Sequence, residues 1–223
     1  MIGADYDIIT FDCYGTLIDW ESGIVNAFLS EAARDGIDLD APSIIAAYMA
    51  EEPAVESEHY RPYREVLTET AHRVASVLGW NIYLPRASFL AASVAGWKPF
   101  PDTNAALERL GQKFQLGILS NIDDDLLGET LKHFTVQFDL IITAAQMRSY
   151  KPGLPHFQEA LARTAGKRLL HAAQSYFHDV VPASRLAIPV AWINRNGEMI
   201  GKAGIEPTYQ FRDLTGLADL LGA

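Results

Sequence analysis

The sequence predicts an α/β fold built on a parallel sheet, with a helical segment inserted after the first strand. Three observations carry that expectation. Ile8-Ile9-Thr10-Phe11 is a β-branched, apolar run of the kind buried on both faces of a sheet. Three later runs, at 114–119, 138–142 and 169–173, repeat the pattern and each stops at polar residues. Between Asp19 and Gly96 such runs give way to helical spacing.

The first strand delivers Asp12 into a turn at Gly15, a residue that leaves a strand without a Cβ clash. Helical spacing follows in Ile24, Phe28, Leu29 and Ala32, and again in Val66, Leu67, Thr70, Val74 and Leu78. Lys98-Pro99-Phe100-Pro101-Asp102 reads as a rigid return, since its prolines end a helix and fix the entry to the next. The run at 114–119 ends in Ser120-Asn121, and Asp123-Asp124-Asp125 then reads as a helix cap that complements the dipole. The run at 138–142 leads to Lys151-Pro152, and the run at 169–173 leads to Gln174-Ser175 and His178-Asp179. Asn194-Arg195-Asn196-Gly197 reads as a turn, and 208–221 as a last short element and a helix. A carboxylate, a hydroxyl, an ammonium and a second carboxylate therefore fall at strand ends. In a parallel sheet they converge at one edge, where open α/β folds bind ligands.

Composition narrows the function classes. With 49% hydrophobic and 21% charged residues, the 223-residue chain matches a globular protein with room for one α/β domain and a smaller insert. A net charge of −10 argues against nucleic acid, so an anionic ligand must be captured by local donors. No apolar stretch of spanning length and no signal-peptide pattern precede Asp5 and Asp7, and the single cysteine forms no internal disulfide. A cytoplasmic protein with no membrane partner is the expectation.

The order Asp12 to Thr16 with Gly15, then Ser120-Asn121, Lys151 and Asp179, resembles the haloacid dehalogenase superfamily over nearly the whole chain. The resemblance implies a Rossmann-like parallel-sheet core, at 1–19 and 97–223, with a helical cap at 20–96. It implies Asp12 as nucleophile, Lys151 holding Asp12 and Asp179, Thr16 and Ser120 as hydroxyl donors, and Asp179 assisting water. Amides following Ser120-Asn121 would hold a substrate carboxylate, and Asn121 would face the leaving group.

Departures from the superfamily's pattern favour one branch. Phosphatases of the superfamily carry a second Asp two places after the nucleophile as general acid, and here Tyr14 stands there. They hold Mg²⁺ through an acidic residue where this chain has Gln174. An alkoxide needs a proton to leave and a halide does not, so both changes point to displacement at carbon without a metal or cofactor. That is the reaction of the 2-haloacid dehalogenase branch, with a small carboxylic acid as substrate and a homodimer as a common assembly.

Against that branch, Ala46-Ala47-Tyr48-Met49-Ala50 lacks the usual halide-binding arginine, for which Arg61 or Arg64 is the candidate replacement. Phe157, Tyr176 and His178 also replace the usual residues, and Trp20, Tyr14, Ser175, Tyr176 and His178 are expected near substrate. Their N–H and O–H donors suit a small hard leaving group such as fluoride. Other readings stay open: opening of a strained ring such as azetidine-2-carboxylate, a Mg²⁺-dependent phosphatase, or a non-catalytic binding relative. Cys13 is expected as a buried filler, and His171 as a hydrogen-bonded core residue. His59, His72, His133 and His156 show no metal-ligand spacing.

Overall fold

Six strands, β1 (Ile8–Phe11), β2 (Gln115–Ser120), β3 (Leu140–Thr143), β4 (Leu169–Ala173), β5 (Val190–Ile193) and β6 (Tyr209–Phe211), form a sheet in the order β3-β2-β1-β4-β5-β6. Every pairing is parallel. The computed structural model describes residues 6–223. All four residues of β1 are buried, as its apolar run requires of a strand flanked on both sides. The order of strands reverses at β1, and a ligand crevice is expected outside the carboxyl ends of the strands at such a switch point.

Register fixes which side chains meet. Thr10 pairs with Gly117 of β2 on one side and with His171 of β4 on the other. A Cβ at Gly117 would lie 3.1 Å from both Thr10 Cγ2 and the Leu140 Cβ, so glycine there lets the threonine sit in a tight layer. Beyond β4, Phe157, Val180, Val190 and the fully buried Trp192 share a core cluster. Strand β5, absent from the sequence expectations, is a four-residue buried run just ahead of the expected turn.

The chain divides into two compact units: a sheet unit running up to Ile18 and including Pro99–Asn121 and Lys132–Ala223, and a helical unit of Asp19–Lys98 with Ile122–Leu131. In the helical unit, α1 (Trp20–Ala33) is capped by Asp19 and α2 (Ala41–Glu58) by Asp40. Helix α3 (Tyr63–Val77) follows Pro62 and has no cap of its own. Asp123 supplies one from 60 residues away, accepting from Tyr63 N at 2.9 Å and Arg64 N at 2.9 Å. This corrects the expectation that the Asp123-Asp124-Asp125 run caps the helix it precedes: Asp123 makes no side-chain cap bond to Asp124–Thr130. The segment 122–131 belongs with the helices and not with the sheet. Of the spaced apolar residues of α1, Ile24, Phe28 and Ala32 are buried while Leu29 is exposed. Among the described residues no helix is long and apolar enough to cross a membrane.

Candidate active site

Lys151 organises the carboxyl edge of the sheet. Its ammonium, 1% exposed, donates to Asp12 Oδ1 at 2.9 Å, Asp179 Oδ1 at 2.7 Å and the Leu119 carbonyl at 2.9 Å. Three acceptors match its three N–H bonds, which a buried ammonium requires. The other Asp12 oxygen, Oδ2, accepts from Thr16 Oγ1 at 2.8 Å, and Thr16 Oγ1 in turn accepts from Gln174 N at 2.8 Å. Gly15, at φ 97°, occupies the left-handed turn between Asp12 and Thr16.

The two carboxylates share one cation and differ in their affinity for a proton. Burial pushes the Asp12 carboxyl up, and the neighbouring Asp179 charge adds to this against the pull of Lys151. Burial would raise Asp179 as well, but the charge of Lys151 and the hydrogen bond from His171 outweigh it and bring it to about 2. Burial alone would lower Lys151, and the two carboxylates reverse that and raise it. Asp12 is thus a poorly solvated anion, a state that strengthens a carboxylate nucleophile.

A carboxylate in a glycine turn after β1 is thus linked through a lysine to a second carboxylate after β4. Residues 6–175 match the haloacid dehalogenase-like hydrolase family. The chain belongs to that family. It is 26% identical to (S)-2-haloacid dehalogenase H-109 of Pseudomonas putida, covering 96% of each chain. It is 24% identical to the glyceraldehyde 3-phosphate phosphatase of Methanothermobacter thermautotrophicus, covering 76% of this chain and 84% of the relative. Among solved structures, an L-2-haloacid dehalogenase superposes with TM-score 0.85 at 20% identity, covering 98% of this chain and 100% of the other. The L-2-haloacid dehalogenase of Xanthobacter autotrophicus with chloropropionic acid covalently bound superposes with TM-score 0.83 at 18% identity, covering 98% and 99%. The protein is a hydrolase with the α/β fold of these enzymes.

Other polar groups follow the same strand ends. Ser120 Oγ is buried without a protein partner, as is Asp179 Oδ2. His156 is fully buried beside the Ser120 backbone, and burial lowers its pKa to about 4. Ser175 Oγ accepts from His178 N at 3.1 Å and lies 3.0 Å from His178 Nδ1. Burial lowers the His178 pKa, which keeps that ring neutral near pH 7. Tyr14 is half-buried in the turn after β1.

Two residues expected near substrate have backbone partners. Tyr176 packs edge-on against Trp192 at 5.5 Å, and its hydroxyl donates to Ile205 O at 2.9 Å and accepts from Ile205 N at 2.8 Å. It is a core residue that ties down the 205 loop. Asn121 donates to Lys151 O at 3.0 Å and accepts from Lys151 N at 2.7 Å. Its amide clamps the lysine backbone. Trp20 and Arg61 belong to the helical unit, where the Trp20 ring lies 5.5 Å from Tyr48 and Arg61 pairs with Glu58. Arg64 pairs there with Asp125.

The donor set does not suit a divalent cation. Mg²⁺ is held through carboxylates in near-octahedral geometry. Here the two buried carboxylates converge on an ammonium, and the Gln174 side chain donates to Glu198 at 2.9 Å. Among the described residues no group of three or more His, Cys, Asp or Glu could hold a metal. Cys13 is fully buried, and burial with the Asp12 charge pushes its thiol well above the usual range, so it is inert.

Arg195, expected only as part of a turn, braces the turn that carries Thr16. Its guanidinium donates to Thr16 O at 2.8 Å, forms a bidentate pair with Asp102 at 3.0 Å on each branch, and lies 3.9 Å from the Phe100 ring centroid. It holds the backbone of the residue whose hydroxyl orients Asp12. Its sequence signal, one basic residue in a turn, carries no hint of that distance partner.

Proposed function

We propose that this protein hydrolyses a carbon–halogen bond of a short 2-haloacid through an ester of Asp12, without a metal. The observation that carries the reading is the Asp12 carboxylate itself. It is 7% exposed, oriented by Thr16 on one oxygen and Lys151 on the other, at the end of the central strand. In the first step a carboxylate oxygen attacks the halogen-bearing carbon, the C–O bond forms, and the halide leaves with the bonding pair. Tyr14 and Gln174 suit this step because no alkoxide has to be protonated and no phosphoryl dianion neutralised.

In the second step water attacks the Asp12 carbonyl carbon and passes a proton to Asp179. The acyl–oxygen bond breaks, the alkoxide takes that proton as the 2-hydroxy acid, and Asp12 returns as a carboxylate with one proton released to solvent. Lys151 stays paired with Asp179 while the ester removes the Asp12 charge. Ser120, whose hydroxyl has no protein partner, donates to the substrate carboxylate. Support comes from the covalently bound chloropropionic acid in the Xanthobacter enzyme and from the dehalogenase relatives.

The test is halide release in EDTA from fluoroacetate, chloroacetate and both 2-chloropropionate enantiomers, with Asp12→Asn as control. Release that vanishes in the variant is the expected result. If no acid in the panel yields halide, the dehalogenase reading fails.

A further inference from the structure

We propose that His171, held by Thr10, is a positioning residue for the hydrolytic step: it loads one oxygen of Asp179 so that the other faces the attacking water. The inference rests on the ester mechanism proposed above and assigns a role to two residues of the sheet interior that it leaves unused.

His171 lies in the middle of β4, fully buried, where an apolar strand would be expected to carry an aliphatic residue. Burying an imidazole there is costly unless both nitrogens are satisfied, and both are. Nε2 is 2.9 Å from Asp179 Oδ1 and Nδ1 is 3.0 Å from Thr10 Oγ1. The pairing of β1 with β4 places Thr10 directly opposite His171, so the contact is built into the sheet register. Phe157 packs edge-on against the ring, with centroids 5.3 Å apart and planes at 89°. The ring is therefore held at both nitrogens and across one face.

Proton positions follow from the partners. An ionised carboxylate only accepts, so Nε2 carries the hydrogen toward Asp179. The Thr10 hydroxyl has one hydrogen and two candidate acceptors, Nδ1 at 3.0 Å and the Leu170 carbonyl at 3.5 Å. In the neutral ring, with hydrogen on Nε2, Nδ1 only accepts, so Thr10 donates to it and fixes that tautomer.

The consequence falls on Asp179. Its Oδ1 accepts from both Lys151, at 2.7 Å, and His171, at 2.9 Å, while Oδ2 is buried with no protein partner. Two donors on one oxygen stop the carboxylate from rotating and leave the lone pairs of Oδ2 to accept the proton of water as that water attacks the Asp12 ester. Lys151 alone would permit either oxygen to turn toward it. Ester formation needs no help from Asp179, so loss of the histidine should spare the first step and slow the second.

The experiment uses chloroacetate with the full-length protein and three variants. Rapid-quench halide measurement reads the first turnover, and intact mass of the quenched protein reads the Asp12 ester. For His171→Asn, whose amide can reach Thr10 and not Asp179, the expected result is a halide burst of one equivalent, a steady state slower by roughly tenfold or more, and ester on most of the protein. His171→Gln places an amide N–H near the Nε2 position and is expected to restore turnover and remove the ester. Thr10→Val, close in shape and lacking the hydroxyl, is expected to accumulate ester to a smaller extent, and it carries the test if His171→Asn does not fold. Variants that turn over at the parent rate without ester, or that lose burst and steady state together, overturn the role of His171. Absence of halide from the parent protein itself overturns the dehalogenase reading instead.

Discussion

Charge is handled in opposite ways by the triad at the sheet edge and by the arginine pairs on the helices. In the sheet unit, Asp12, Lys151 and Asp179 lie almost wholly out of solvent and satisfy one another through directed hydrogen bonds. In the helical unit, Arg73 bridges Glu58 and Glu69, and Arg34 pairs with Glu31, all on side chains that water reaches. A buried ion set is expensive to assemble and more expensive to break, whereas exposed pairs exchange one hydrated state for another. The triad therefore commits stability to holding a reactive carboxylate, while these arginine pairs serve solubility and local pairing. The helical unit also has a half-buried carboxyl of its own, Glu52, which burial raises to about 7 and which accepts from the Tyr63 hydroxyl at 3.1 Å.

The largest expected effect comes from Lys151→Met. It leaves two carboxylates buried without their cation, at a cost of about 3–5 kcal/mol in urea denaturation together with loss of turnover. An unfolding midpoint close to that of the parent would mean that water reaches the pair and that the buried-network description is wrong. Asp179→Asn comes next and sharpens the contrast between the two carboxylates. The nucleophile must be ionised, so activity falls as pH drops through the Asp12 pKa, which burial raises above the usual carboxylate value. Removing the Asp179 charge should move the acid limb of whatever kcat/KM remains to lower pH, since that charge raises Asp12. A limb that stays in place would assign it to another group.

The same pair sets a pH dependence of stability. The Asp179 carboxyl is depressed from 3.8 to about 2 in the fold, so its contribution is present above the unfolded value and is lost as pH falls toward 2. Acid titration of the Asp179→Asn protein followed by circular dichroism should show a flatter loss across that window than the parent.

Smaller effects belong to the helical unit. Asp123→Ala removes both acceptors at the start of α3 and should cost about 0.5–2 kcal/mol, read as a shift in urea midpoint. Arg73→Ala should leave the midpoint within error. A loss there comparable to that at Lys151 would erase the distinction between the buried triad and the exposed pairs.

What could be read from the sequence follows the same division between local and distant causes. Buried strands announce themselves by β-branched runs, and a carboxylate followed by a glycine turn marks the edge of the sheet, so Asp12, Thr16, Lys151 and Asp179 are legible as a set. Partners chosen by tertiary register are not. Asp123 caps a helix that begins 60 residues earlier in the chain, and Arg195 reaches the Thr16 carbonyl from a turn beyond β5. Tyr176 and Asn121 are expected near substrate, and the backbone partner each one finds, at Ile205 and Lys151, leaves no mark in the sequence. His171 was legible as a bonded core residue, while its partner, Asp179, depends on the chain turning back after β4. Strand β5 is too short and too close to a turn for its pattern to stand out.

The central claim is that Asp12 is the atom donor in the displacement. A single turnover with enzyme in excess over chloroacetate in H₂¹⁸O tests it most directly. An ester mechanism places ¹⁸O in the peptide that contains Asp12 and leaves the hydroxyl of the first glycolate unlabelled. Label in glycolate, with none in that peptide, would mean that water attacks carbon directly and would contradict the assignment of Asp12 as nucleophile.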